Sequence, residues 1–240
     1  MKVTLEILRQ ARGETQSRLQ RIAWETADDN ATVATALADM NRQPALVDLD
    51  GQAVGRIEWE CSCLQKKCGA CAMRINGIPR LACDTKLAPL AGRPVRLEPL
   101  KKFPVVADLI VDRAALFDNL KAMKAWLDRE VGLNARATDT AYEASRCLQC
   151  GCCLEVRPNF MPGGAFSGTA AMVPASRLIV ELSPSKREEI YKLYTRRVYN
   201  GCGKSLACRD ICPAGIDVEG LLVNSNAIAV WKRTSGKRDR

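Results

Sequence analysis

The chain of 240 residues contains no histidine. That excludes imidazole both as a proton shuttle near neutral pH and as a metal ligand. Aromatic residues make up only 5% of the chain, so a hydrophobic core must be mostly aliphatic. No stretch is apolar for long enough to span a bilayer. The opening residues, Met1-Lys2-Val3-Thr4-Leu5-Glu6, lack the basic and apolar regions of a secretory leader. The expectation is a cytosolic setting, where thiols stay reduced and grouped cysteines more often bind metal than form disulfides.

What the chain has is cysteine, twelve in all. Ten of them fall into spaced sets: Cys63-x4-Cys68-x2-Cys71 with Cys83 downstream, Cys147-x2-Cys150-x2-Cys153, and Cys202-x5-Cys208-x3-Cys212-Pro213. Both the C-x4-C-x2-C and the C-x2-C-x2-C spacing recur in proteins that hold iron–sulfur clusters. The available chemistry is therefore thiolate chemistry.

In the first set, Cys63, Cys68 and Cys71 bracket a short loop and Cys83 returns after Asn76-Gly77, a strong hairpin turn signal. A [2Fe–2S] cluster needs four thiolates, two on each iron, and a loop wrapped around it can aim backbone N–H groups at sulfur. Gly69 suits a point where the backbone approaches closely or takes a positive φ. Four cysteines can also bind zinc tetrahedrally, but zinc knuckles present two C-x2-C pairs and here there is one. Cys61 stays outside the set and reads as a small unligated thiol.

Cys147, Cys150 and Cys153 follow the bacterial ferredoxin run. In two-cluster proteins of that type a Cys-Pro cysteine ligates the other cluster. Cys212-Pro213 fits that role and would complete a [4Fe–4S] site. The run's own fourth cysteine is missing: Arg157-Pro158 stands where Cys-Pro is expected, and arginine does not replace a thiolate in iron chemistry. Cys202 and Cys208 are left as two ligands of a third cluster. Cys152 reads as a bystander thiol.

The formal net charge is +9, and apolar residues make up 47%. The length allows one large domain or two small ones. Much of the basic excess lies in the run 232–240. Such a balance fits nucleic acid, an anionic membrane surface or an acidic partner, or simply a solubilising face.

Periodicity divides the chain. Residues 2–8 alternate, with Val3, Leu5 and Ile7 on one face, and predict a strand; 19–26 is a second strand. Residues 32–40 have helical spacing, with Asn30 as the cap. Alternation returns at 72–78 and 95–98. Residues 99–104 break the pattern and are the domain boundary. Beyond it Leu116, Leu120, Met123 and Leu127 mark an amphipathic helix. A capping-box spacing at Ser185-Lys186-Arg187-Glu188 opens a helix through Val198, and 218–231 forms another. Residues 158–174, rich in Gly, Pro and Ala, read as a structured loop.

The cysteine order, together with Phe103-Pro104-Val105-Val106-Ala107-Asp108-Leu109-Ile110-Val111-Asp112-Arg113, Cys147-Leu148-Gln149-Cys150-Gly151-Cys152-Cys153, Pro158-Asn159-Phe160 and Cys212-Pro213-Ala214-Gly215-Ile216, resembles the iron–sulfur subunit of succinate dehydrogenase and fumarate reductase. The resemblance spans nearly the whole chain. It implies an α+β architecture, with an N-terminal β-grasp ferredoxin-like domain (1–103) followed by an α-helical ferredoxin domain (104–240). It implies [2Fe–2S], [4Fe–4S] and [3Fe–4S] clusters in order from flavin to quinone. Cys63, Cys68, Cys71 and Cys83 match the ligands of the first; Cys147, Cys150, Cys153 and Cys212 match the second. Cys202 and Cys208 match two ligands of the third, and Arg157 occupies the position of its remaining one.

The implied role is electron relay from a FAD-containing flavoprotein subunit to a quinone at a membrane anchor of cytochrome b type. The chain would then sit peripherally on the cytoplasmic face of the membrane and perform no dicarboxylate chemistry itself. An iron–sulfur subunit of a related reductase, of the thiol-linked fumarate or heterodisulfide type, is the alternative. A basic zinc protein that binds nucleic acid is a more distant one, which the few aromatics and the lack of paired C-x2-C motifs disfavour.

Overall fold

The computed structural model describes residues 1–127 and 135–232. It divides into two compact units, Met1–Asp112 and Arg113–Arg240. The basic run 233–240 lies outside the described residues.

Unit 1 is a five-stranded mixed sheet in the order β2-β1-β5-β3-β4. β1 (Lys2–Arg9) and β2 (Arg18–Glu25) pair antiparallel, with Leu5 opposite Ile22 and Val3 opposite Trp24. The alternation works as period-2 patterning requires: Val3, Leu5, Ile7, Ile22 and Trp24 are all buried. β5 (Val95–Glu98) runs parallel to β1 and antiparallel to β3 (Ala72–Ile75). β3 turns into β4 (Ile78–Leu81) through Asn76 (φ 50°) and Gly77 (φ 80°), both left-handed as the Asn-Gly signal predicts.

Helix α1 (Val33–Met40) buries Val33, Ala34, Ala36, Leu37 and Met40. Burying a side chain such as Leu37 stabilises the unit by about 2 kcal/mol. The cap is Thr32 rather than Asn30: Thr32 Oγ1 accepts the Thr35 N–H at 3.2 Å, and Thr35 Oγ1 accepts the Thr32 N–H at 3.3 Å. Threonine closes this reciprocal box with its short hydroxyl, where the usual pattern has Glu or Gln.

The sequence break at 99–104 lies inside unit 1. Beyond it β6 (Val105–Ala107) and β7 (Ile110–Val111) form a hairpin whose turn holds Asp108 at φ 41°. Asp108 is only 4% exposed. Its Oδ1 accepts the Gln10 N–H at 2.8 Å, its Oδ2 accepts the Glu58 N–H at 2.9 Å, and Arg9 Nε lies 3.0 Å from it. This buried carboxylate ties the late hairpin back to the end of β1, so the compact unit runs to Asp112.

Unit 2 is helical: α2 (Ala114–Ala122), α3 (Ala135–Ser145), a single turn α4 (Cys152–Glu155), α5 (Thr169–Glu181), α6 (Pro184–Tyr194) and α7 (Val218–Asn226). α2 ends before the predicted Leu127, because Lys124 turns to φ 50°. The N-cap of α6 is Ser183, with Pro184 in the first turn, rather than Ser185. Both α6 and α7 finish in a π-helical turn, Thr195–Tyr199 and Ala227–Trp231.

The second half of the predicted loop at 158–174 is helix instead. α5 starts at Thr169 and carries Pro174 inside it. Its apolar residues Ala171, Val173, Ala175, Leu178 and Ile179 are buried in the core of the unit. Two buried polar links join the helices: Tyr194 Oη donates to Asn226 Oδ1 at 2.8 Å, and Ser225 Oγ to Ser176 Oγ at 2.9 Å.

Asp108→Ala is expected to destabilise unit 1 by about 3 kcal/mol, because it leaves the Gln10 and Glu58 N–H groups without their acceptor and removes the carboxylate beside Arg9. Thr32→Ala is expected to cost about 1 kcal/mol. Urea unfolding of the holoprotein, followed at the visible bands, checks this order; equal losses would contradict the central place given to Asp108.

Candidate metal centres

The first cysteine set is a loop closed by a hairpin. The β3–β4 pair brings Cys83, on the 3₁₀ turn Ala82–Asp84, back beside Cys71, and the Ala82 N–H donates to the Cys71 carbonyl at 3.1 Å. In the loop, Leu64 (φ 52°), Lys66 (φ 59°) and Gly69 (φ 75°) all take left-handed backbone. These reversals aim successive N–H groups inward, as in an anion-binding nest. The Gln65 and Lys67 N–H groups donate to Cys63 Sγ at 3.4 and 3.3 Å, and the intervening Lys66 N–H donates to Cys83 Sγ at 3.4 Å.

Those donors favour the thiolate and bring the Cys63 pKa down to about 7, while burial pushes Cys71 up to about 12. Thiol contacts sort the four into pairs, Cys63 with Cys68 and Cys71 with Cys83. Two sulfurs for each of two irons is the ligand set a [2Fe–2S] cluster takes, and N–H groups aimed at those sulfurs are its usual outer support. Cys61 is exposed.

In unit 2, Cys147, Cys150, Cys153 and Cys212 line one cavity of ≈ 30 Å³. Cys147 and Cys150 follow α3, Cys153 sits on α4, and Gly151 at φ 87° caps that turn. Cys212 comes from a distant loop that α3 clamps. The Asp217 N–H donates to Glu143 Oε1 at 2.8 Å, and Arg146 Nη2 donates to the Ala214 carbonyl at 2.5 Å.

Burial pushes Cys147 up to about 11, and the neighbouring thiolates Cys150 and Cys212 add to that. Cys153 is also raised by burial, reinforced by the charges of Cys150, Cys147, Cys208 and Cys212. Four thiolates crowded in an apolar pocket repel one another, and a bound polycationic iron core relieves that repulsion. Four cysteine sulfurs are the donor set that a four-iron cluster takes.

Two residues of this centre escape a reading of spacing alone. Cys152 is fully buried and does not line the cavity. Its thiol is hydrogen-bonded to Cys150, which holds the Cys150 pKa down at about 7.

Gln149 Nε2 donates to Cys147 Sγ at 3.3 Å and to the Ala170 carbonyl at 2.9 Å. That carbonyl is available because Pro174, four residues on, has no N–H to return to it. The proline inside α5 thus creates the acceptor that holds Gln149 against the Cys147 sulfur. A proline four residues after a buried helical carbonyl was the legible signal.

The third set separates from the second. Cys202 and Cys208 do not line the four-cysteine cavity. Cys208 is fully buried, and Arg157, 4% exposed, donates from Nη2 to Cys202 Sγ at 3.3 Å. The structure therefore brings Cys202 and Arg157 into direct contact.

Residues 4–118 match the family model described as a 2Fe-2S iron-sulfur cluster binding domain. The chain is 38% identical to the succinate dehydrogenase iron-sulfur subunit of Bacillus subtilis, over 78% of this chain and 77% of that one. It is 30% identical to the fumarate reductase iron-sulfur subunit of Mycobacterium tuberculosis, over 70% and 72%. Its fold is similar to a chain of the Mycobacterium smegmatis Sdh1 complex in the apo form, with a TM-score of 0.76 at 19% identity, over 94% and 96%.

Cys83→Ala is expected to lose about 2 irons per chain and Cys212→Ala about 4, while Cys61→Ala and Cys152→Ala keep the full count. Iron and acid-labile sulfide assays read this directly; iron lost from Cys152→Ala would make it a ligand. Gln149→Leu is expected to keep its iron and lower one midpoint potential, since a hydrogen bond to a cluster sulfur favours the reduced state. An unmoved potential in redox titration would remove Gln149 from that role.

Proposed function

The chain belongs to the iron–sulfur subunits of succinate dehydrogenase and fumarate reductase, and we propose from that premise that it relays electrons between a FAD-containing flavoprotein subunit and a quinone at a membrane anchor. Its role as an electron-transfer subunit follows from the family. The residue assignments, partners and location are our reading. Bound clusters supply the one-electron carriers; everything else described below is done by the side chains and backbone of this chain.

The observation that carries the assignment is the arrangement of thiols into two separate cradles, one in each unit. In unit 1, Cys63 with Cys68 and Cys71 with Cys83 would hold the [2Fe–2S] cluster, with the 65–67 N–H groups spreading the negative charge of the sulfurs. In unit 2, Cys147, Cys150, Cys153 and Cys212 would hold the [4Fe–4S] cluster in a pocket whose apolar wall includes Ala170, Val173 and Ile216. That wall keeps water from the sulfurs.

Each chain residue has a separate lever on potential. Cys152 and Gln149 donate hydrogen bonds to ligand sulfurs, and the Arg113 guanidinium lies close enough to Cys150 to favour its charged form. All three act in the same direction, toward an easily reduced centre.

We assign the succinate–fumarate step to the flavoprotein and electron relay to this chain. Among the described residues no helix is long and apolar enough to cross a membrane. We assign attachment at the cytoplasmic face to an anchor of cytochrome b type and to the flavoprotein contact.

The test is a split assay on the assembled complex. With Cys212→Ala, succinate-dependent reduction of a dye that draws electrons from the flavin is expected to persist, while quinone reduction falls to background. Quinone reduction at the wild-type rate would reject the relay through unit 2.

A further inference from the structure

The family resemblance places a third, three-iron cluster at Cys202 and Cys208, with a thiolate at position 157. The residues present do not fit it. A guanidinium has five donors and no lone pair to offer iron, and it stays protonated throughout the pH range of a folded protein. Two thiols remain for a cluster that needs three.

Nor does Arg157 merely point away and leave a gap. Its Nη2 donates to Cys202 Sγ at 3.3 Å, and its Nε donates to Thr169 Oγ1 at 3.4 Å. The guanidinium carbon lies 5.7 Å from the centroid of the Phe166 ring. These contacts come from three different segments: the 201–208 loop, the first turn of α5, and the loop before it. The side chain is 4% exposed.

The Phe166 ring is itself held in place. A Cβ on Gly201 would meet Phe166 Cδ2 at 2.5 Å, so the residue before Cys202 has to be small for the ring to sit where it does. The pocket therefore supplies a hydrogen-bond acceptor, a soft sulfur acceptor and an aromatic face to one planar cation, the three kinds of partner a buried guanidinium takes.

We propose that this chain carries a buried guanidinium–sulfur pair, Arg157 with Cys202, in place of a third iron–sulfur cluster. The pair sets a cation in hydrogen-bond contact with the Cys202 sulfur. Cys208 remains a fully buried thiol beside Cys153. The proposal rests on the reading of Cys147, Cys150, Cys153 and Cys212 as the four-iron ligands, which makes that centre the last carrier in this chain.

The experiment uses the assembled complex, with iron and sulfide counted per chain and electron paramagnetic resonance recorded in the oxidised and reduced states. The wild type is expected to hold about 6 irons and give no three-iron signal. Arg157→Cys is expected to hold about 9 and gain that signal, with the other two unchanged. Arg157→Met, which removes the cation without adding a ligand, is expected to stay at about 6.

A wild-type count of about 9 with a three-iron signal would overturn the proposal. So would an Arg157→Cys complex that keeps both other signals and gains no iron. A wild type that lacks the four-iron signal as well, at about 2 irons, would overturn the underlying ligand assignment, and the separate signal tells the two failures apart.

Discussion

A short loop can aim several sulfurs and several N–H groups at one point only if its backbone reverses direction within one or two residues. For L-residues that means visiting the left-handed region, which costs of order 1–3 kcal/mol at each non-glycine position. This chain does so in all three cysteine loops: at Leu64, Lys66 and Gly69, at Gln149 and Gly151, and at Lys204 and Leu206. The strain is local and the scaffold around it is regular. A loop built this way would not hold its shape alone, so its ends are fixed by elements that are rigid for other reasons.

The two units meet that need differently. In unit 1 a tight hairpin, β3–β4, fixes the distance between Cys71 and Cys83, and the sheet fixes the hairpin. In unit 2 the four cysteines of the cavity lie in segments far apart in sequence and are gathered by helix packing and side-chain clamps. Glu143 and Arg146 hold the Cys212 loop, and Pro174 frees a carbonyl that holds Gln149. The cradle in unit 1 is thus a local product of strand pairing, whereas the one in unit 2 depends on the whole helical core. Arg157 extends the same logic: Thr169 and Phe166, next to that core, hold the guanidinium on Cys202.

Much of this was legible in the chain itself. Strong alternation at Val3, Leu5 and Ile7 and the Asn76-Gly77 turn specify strands and a hairpin because period and turn chemistry are local. The family resemblance carried by the cysteine order implied the α+β ferredoxin architecture, which the family relationship shows. Legibility failed where the decisive partner is remote or the local rule is overridden. Thr32 replaces Asn30 as a cap because its partner, Thr35, is a threonine rather than the Glu or Gln of the usual box. Pro174 reads as a loop residue, yet a side-chain amide takes the carbonyl it frees. Asp108 lies beyond a proline-rich break, and only its contacts with Gln10 and Glu58 reveal that β6 and β7 belong to the first unit.

In the proposed assignment the chain holds two iron–sulfur clusters, one per unit, both ligated wholly by cysteine. Mössbauer spectroscopy of the complex grown on iron-57 measures that most directly, because each iron reports its own coordination. Two components are expected, about one third of the iron in a two-iron species and about two thirds in a four-iron species, every site with tetrahedral sulfur parameters. A third component of three ferric irons, or a spectrum without the four-iron species, would contradict it.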